Sequence, residues 1–163
     1  MNYKVLESIK NQEEDALKEQ FALDVLTGFT SKKKYIPSKY FYDDKGSELF
    51  VQITDQEAYY PTRSEKQIFE KNKSKIISHF DKKKLNVIEL GAGDGHKTKL
   101  LLDELTSKSI PLEYNPIDIS EDAVRGVCEK FKSKEFETFG IVGEYVPALK
   151  WACLLYTSDA ADE

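Results

Sequence analysis

VIELGAGDGHKTKLLLDEL, residues 87–105, is the stretch whose reading decides the fold. Val87, Ile88 and Leu90 make a short apolar run of the buried-strand kind, and KLLLDEL further on carries apolar residues at helical spacing. Between them lie Gly91, Gly93 and Gly95 at alternate positions. The first can make a tight turn, the second opens the backbone to a ligand, and the third admits a helix close to a sheet. The spacing is GxGxG, not the GxGxxG of dinucleotide sites, and the phosphate-loop pattern GxxxxGK[ST] is absent. The start of the following helix still offers free backbone N–H groups. The loop is therefore either a cofactor cradle or a glycine-softened structural turn.

Downstream, LEYNPIDIS (residues 112–120) reads as a second strand after the Pro111 turn. Ser120 is placed to cap a helix carrying Ala123, Val124, Val127 and Phe131, and FETFGIVGEY (residues 136–145) is a third strand candidate. Strand and helix alternating in this way form the first half of a doubly wound α/β sheet of Rossmann-like type. Upstream the pattern is helical. Ala16, Leu17, Phe21, Leu23 and Leu26 share a helix face over residues 13–26, and Gly28 is expected to end it. Short helical pieces such as residues 47–53 fit the tyrosine-rich stretch that follows. A longer helix is expected after Pro61, capped by Thr62 with Glu65 three residues on and reaching about Phe80.

The chain has 163 residues, 40% hydrophobic and 33% charged, with a formal net charge of -5 and well-mixed signs. That is enough for one ordinary soluble, globular domain. No basic track suits nucleic acid or an anionic membrane; the lysines of SKKK (residues 31–34) read as a solvated turn. No segment approaches a membrane span, and the N-terminus lacks an apolar signal core. Cys128 and Cys153 have no metal-ligand spacing, and His79 and His96 are too scattered for a metal site, so no metal and no structural disulfide are expected, and the cytoplasm is the default location.

GxGxG after VIEL resembles the pattern of doubly wound S-adenosylmethionine-dependent methyltransferases. An adenosyl cofactor then calls for an acid at the end of the second strand to accept the ribose hydroxyls, and Asp118 stands there. The alternative is a structural turn in which Asp118 caps the following helix.

The resemblance sharpens upstream. YFYDDKGSELFVQIT (residues 40–54) followed by AYYPTRSE (residues 58–65) is similar to the signature of the histidine-specific methyltransferase family, and ELGAGDGHKT completes it. The resemblance covers most of residues 15–150. It implies a class I methyltransferase sheet preceded by an α-helical segment, S-adenosyl-L-methionine as cofactor, and trimethylation of the α-amino group of L-histidine to hercynine, on the way to ergothioneine. It implies further that Tyr42 and Tyr59 line the cofactor and substrate cleft, with Tyr59 beside the amino acid, and that Phe50 forms an aromatic wall. Gly91 and Lys97 match cofactor positions, the lysine at the methionine carboxylate, and Asp118 matches the ribose acid. Glu144 falls where the family has an aspartate near the adenine, one methylene shorter. The family reads LPEYYPTR where this chain has DQEAYYPTR.

Tyrosines suit such chemistry, because methyl transfer from a sulfonium needs a neutral, well-aimed amine more than a strong base. A hydroxyl orients the amine and a ring faces the growing ammonium charge. Most of the nine tyrosines and nine phenylalanines are nonetheless packing residues. Arg63 either clamps a substrate carboxylate or pairs with Glu65, and His96 is a surface residue at a helix start.

Only half a sheet is present, and the last dozen residues, ACLLYTSDAADE, offer neither strand nor helix logic and resemble translated sequencing adapter. The expectation is a truncated chain in three parts. Residues 1–84 form a helical, tyrosine-rich segment lining the cleft, residues 85–150 the first half of the cofactor domain, and residues 151–163 a foreign tail. A genuine small domain with an acidic tail is the alternative. Substrate-gripping residues of the family lie beyond the third strand, so the polypeptide as written is expected to be inactive or unstable, its full-length parent a monomeric methyltransferase. A methyltransferase for another amino acid or small amine, a nicotinamide-dependent dehydrogenase and a non-catalytic adenosyl-binding domain stay open beside it.

Overall fold

The computed structural model describes residues 2–6, 14–41, 44–80, 83–132 and 135–159. The elements in chain order are β1 (Tyr3–Val5), α1 (Glu14–Thr30), a single 3-10 turn (Ser38–Phe41), α2 (Asp44–Thr54), α3 (Pro61–Ile77), β2 (Leu85–Leu90), α4 (His96–Ser107), β3 (Leu112–Asp118), α5 (Glu121–Phe131), β4 (Glu137–Thr138), β5 (Gly140–Val142) and α6 (Tyr145–Asp159). All strand pairs are parallel, in the order β1-β5-β3-β2, with β4 also on β3. Successive residues of a strand face opposite sides, and β3 shows it. Leu112 and Tyr114 pack with Leu102 and Leu105 of α4, Val127 and Phe131 of α5, and Ile77 of α3. Ile117 turns the other way, to Ile141, Leu6, Ala148 and Ala152. Helices thus cover both faces of a parallel sheet, the doubly wound α/β arrangement expected.

The strand at residues 85–90 and the helix capped by Ser120 are as expected. The Ser120 hydroxyl accepts the Ala123 N–H at 3.2 Å, Glu121 and Asp122 sit in the first turn and Lys130 in the last, each with the sign that complements the helix dipole. Val124, Val127, Cys128 and Phe131 form the buried stripe of this helix.

Several expectations are corrected. The N-terminus, given no strand by the sequence, supplies β1 at the edge of the sheet; Tyr3 lies opposite Gly140, whose missing Cβ leaves room for Val124 and Cys128 of α5 and for Tyr3 itself. Helix α1 does not end at Gly28 but runs to Thr30, because Thr30 and Ser31 hydroxyls donate to the last-turn carbonyls of Leu26 and Thr27. Gly28 serves instead to admit the returning chain: a Cβ there would lie 2.0 Å from the Tyr35 carbonyl oxygen. The apolar face of α1 stays in solvent, with Leu17, Phe21, Leu23 and Leu26 all exposed. Thr62 does not cap α3; Tyr60 precedes a helix whose first turn begins with Pro61, which has no N–H to satisfy, and the helix ends at Ile77.

The third strand is broken into β4 and β5 at Phe139, whose N–H goes to the Tyr114 carbonyl while the buried Asn115 amide donates to its carbonyl at 3.1 Å. Residues 151–159 are helical, as the continuation of α6. Ala148 and Ala152, one turn apart and fully buried, let this helix lie against Ile117 and Ile141, and the Trp151 ring stacks on Phe139 with Lys4 over it. Small residues carry too weak a hydrophobic signal for that contact to be read from sequence. Among the described residues, no helix is long and apolar enough to cross a membrane.

Candidate functional site

Strand β2 delivers the chain to the glycine loop at the carboxyl end of the sheet. Gly91 and Ala92 donate their N–H groups to the Ile117 carbonyl at 2.8 and 3.2 Å, and Gly95 closes the turn on Ala92 at 2.8 Å. All three glycines take positive φ, 69°, 52° and 64°, a region costly for residues with a Cβ. Their surroundings differ. Gly93 has nothing within 4 Å of the Cβ direction, so its backbone faces open space. Gly95 packs against α5: a Cβ would lie 3.1 Å from Phe131. At Gly91 a Cβ would lie 2.7 Å from the Tyr145 hydroxyl, so a tyrosine that the sequence does not single out stands at the first glycine. The Asp94 carboxylate accepts the His96 N–H at 2.9 Å and so starts α4, while Lys130 donates to the Asp94 carbonyl. His96 is exposed at that helix start, as expected.

Asp118 lies beside the loop and joins both sequence readings. One carboxylate oxygen accepts the Gly93 N–H at 3.1 Å, the other the Ser120 N–H at 3.0 Å, and its carbonyl accepts from Gly143 at 2.9 Å. It therefore helps start α5 and also ties down the loop, and each oxygen keeps a further lone pair for a ligand hydroxyl. Open space above Gly93 with these acceptors next to it fits the sugar of an adenosyl group. Glu144 follows Gly143 at the same end of the sheet, exposed, its carbonyl accepting the Ala148 N–H as α6 begins.

Glu89, within VIEL, is a residue the sequence reading passed over. Its carboxylate sits half-buried behind the loop and accepts hydrogen bonds from the Thr98 and Tyr114 hydroxyls. Burial holds the Glu89 carboxyl above the usual carboxylate range, with those hydroxyls and Lys97 acting against the shift. Burial likewise pushes the Tyr114 hydroxyl far up, helped by the Glu89 charge. The available signal was an acid between Ile88 and Leu90 in an otherwise apolar strand.

The aromatic side of the site comes from α2 and the turn before α3. Phe50 and Tyr59 meet edge to face, with ring centroids 6.1 Å apart. Arg63 does not pair with Glu65. Its guanidinium donates to the carbonyls of Gln56 (2.9 Å), Tyr59 (3.2 Å) and Glu57, and so holds the turn that presents Tyr59. Glu65 reaches across to Lys97 on α4 at 2.8 Å. The first two turns of α3 thereby link the tyrosine turn to the glycine loop. Tyr42 lies outside the described residues. Tyr40, close by, is tied to α1: its hydroxyl donates to Asp24, which also binds Lys39, and its ring meets Phe21. Two hollows, one bounded by Lys84, Pro111, Glu113 and Glu137 and the other by Asn2, Phe131, Thr138 and Phe139, lie at the amino ends of the strands, away from this site.

Comparison with known proteins identifies the family. The family described as "Histidine-specific methyltransferase, SAM-dependent" matches residues 21–159. Over 111 residues the chain is 38% identical to the histidine N-alpha-methyltransferase of Mycolicibacterium smegmatis, covering 68% of this chain and 34% of that protein. The histidine N-alpha-methyltransferase of Mycobacterium tuberculosis is 40% identical over 96 residues, 59% of this chain and 29% of the relative. Ergothioneine biosynthesis protein 1 of Schizosaccharomyces pombe is 33% identical over 115 residues, 69% of this chain and 15% of the relative. The chain spans about a third of the length of the two bacterial relatives.

Proposed function

This chain belongs to the histidine-specific, S-adenosylmethionine-dependent methyltransferase family, and on that premise we propose that a protein built on it transfers methyl groups from S-adenosyl-L-methionine to the α-amino group of L-histidine, giving hercynine. The names of the bacterial relatives support the substrate. The observation that carries the cofactor half is the left-handed glycine loop, open above Gly93 and held at that point by Asp118.

In this reading Gly91, Gly93 and Gly95 shape the cradle, Asp118 takes the ribose hydroxyls, Lys97 the methionine carboxylate, and Glu144 the adenine edge. Phe50 walls the cofactor and Tyr59 faces the amine, and to Tyr42 the family resemblance alone assigns a part in both. When bound, the cofactor supplies an electrophilic methyl on a sulfonium. The chain's own task is positioning. Tyr59, fixed by the Phe50 ring and by the Arg63-held turn, orients a neutral amine and offers a π-face to the ammonium that develops, which lowers the barrier by alignment more than by proton transfer. Helix α2 and the turn before α3 then act as the aromatic wall, and the sheet with its glycine loop as the cofactor half. We place the protein in the cytoplasm, acting on a small amino acid as a monomer.

Calorimetric titration of S-adenosylhomocysteine tests this. Saturable binding to the folded chain, lost in Asp118→Ala, is expected. A folded chain that takes up none removes the cofactor reading. Mass spectrometry of a panel of amino acids and small amines, incubated with S-adenosylmethionine and a protein containing this chain, tests the substrate; methylation of another amine in preference to histidine overturns it.

A further inference from the structure

The ammonium of Lys97 has a partner within the chain itself. Glu65, on the first turns of α3, holds it at 2.8 Å, and both side chains are close to half exposed, 42% and 47%. An ion pair in such contact with water is weak and exchangeable. The other charges facing this end of the loop are mostly acidic: Glu89 interacts with Lys97 and with Asp94, and Asp118 lies on the far side of Gly93, while Lys130 donates to the Asp94 carbonyl. Such surroundings suit a cationic sulfonium and its ammonium. The carboxylate of the same ligand is the part that needs a cation, and Lys97 stands at the loop, while Glu65 adds a competing negative charge beside it. Two carboxylates sharing one exposed ammonium repel one another.

We infer that Glu65 competes with the cofactor's α-carboxylate for Lys97 and is displaced by it, so that cofactor binding loosens the start of α3. That end of α3 also carries Arg63, whose guanidinium gathers the Gln56, Glu57 and Tyr59 carbonyls. The exchange therefore reaches the tyrosine turn and couples the cofactor half of the site to the amine half. This inference rests on the cofactor reading above, in which Lys97 meets the methionine carboxylate.

The test compares two ligands that share an adenosyl thioether. S-adenosylhomocysteine carries the amino-acid end, and 5′-methylthioadenosine lacks it. Both are titrated into the full chain, Glu65→Gln and Glu65→Ala. Removing the competing charge is expected to tighten S-adenosylhomocysteine about two- to fivefold in both variants, the scale of one exposed ion pair, with 5′-methylthioadenosine unchanged. In the unsubstituted chain, S-adenosylhomocysteine also speeds amide exchange at Ser64, whose N–H is held by the Tyr60 carbonyl at 2.9 Å. Both ligands binding with an unchanged affinity ratio, or weaker S-adenosylhomocysteine binding in the variants, overturns the role of Glu65 and leaves the cofactor reading standing. Neither ligand binding any folded variant overturns the cofactor reading, and this inference with it.

Discussion

Asp118 accepts N–H groups from two different elements, the glycine loop and the start of α5, so its replacement has two consequences that can be measured apart. Asp118→Asn keeps a single acceptor oxygen and can satisfy only one of the two donors. It is expected to lower stability by about 1.5–3 kcal/mol in urea unfolding, the range for a lost hydrogen bond to a charged acceptor. Glu89 gives the pH prediction. Its carboxyl is held above the usual carboxylate range chiefly by burial, so the folded chain binds this proton more tightly than the unfolded one. The stability it contributes is fully present below the unfolded value, about 4.3, and is lost as pH rises through the raised folded value. Glu89→Gln keeps an acceptor for one hydroxyl and removes the charge. The melting temperature of Glu89→Gln relative to the parent chain should therefore climb from pH 4 to pH 7, and a difference that stays flat refutes the assignment. Neither role is legible from residue type alone: Asp118 is placed by its position at a strand end, whereas Glu89 acquires its character only when Thr98 and Tyr114 close over it.

Elements meet in this protein at a few close approaches. Gly95, at φ +64°, has Phe131 of α5 within 3.1 Å of where a Cβ would stand, with Val127 at 3.4 Å. Gly95→Ala is expected to cost about 1–2 kcal/mol from the left-handed backbone, plus the contact. The contact part should shrink in a Phe131→Leu background, so a double-mutant cycle of unfolding free energies is predicted to be non-additive. The link between α1 and the Ser38–Phe41 turn is electrostatic. Hydrogen bonds from Lys39 and Tyr40 hold the Asp24 carboxyl below its usual range. A depressed carboxyl stabilises above its unfolded value and loses that contribution as pH falls through the folded one. Acidification below the ordinary aspartate range should thus free Tyr40 from Asp24, seen as a loss of ring contacts between Tyr40 and Phe21 by NMR. Helix and strand identities were readable here because the periodicity is local; Gly28 and Thr62 were misread because their roles depend on Tyr35 and Pro61, the first of which returns from outside the helix.

At the scale of the whole molecule, the core gathers around the sheet while the N-terminal helices stay apolar on the outside. Leu17, Phe21, Leu26 and Phe29 of α1 and Leu49, Phe50, Val51 and Ile53 of α2 are all exposed, several by more than half. Apolar surface grouped in this way binds hydrophobic probes. The chain is expected to enhance anilinonaphthalene sulfonate fluorescence under native conditions, and Leu26→Ser with Phe29→Ser should reduce that signal without lowering the melting temperature. A loss of stability in that variant would mean that α1 is packed after all. What the sequence determined by itself was the central motif: strand 85–90, the glycine loop, strand 112–118 and the Ser120-capped helix. Each of these is specified by short-range alternation, glycine spacing or a cap, and ELGAGDGHKT with AYYPTRSE carries the family. Only the tertiary structure decided that residues 3–5 complete the edge of the sheet, that Ala148 and Ala152 seat a last helix, that Lys97 rather than Arg63 pairs with Glu65, and that Tyr145 lies against Gly91. In each case the deciding partner is distant in the chain, so the contact is set by packing and charge that no local pattern records.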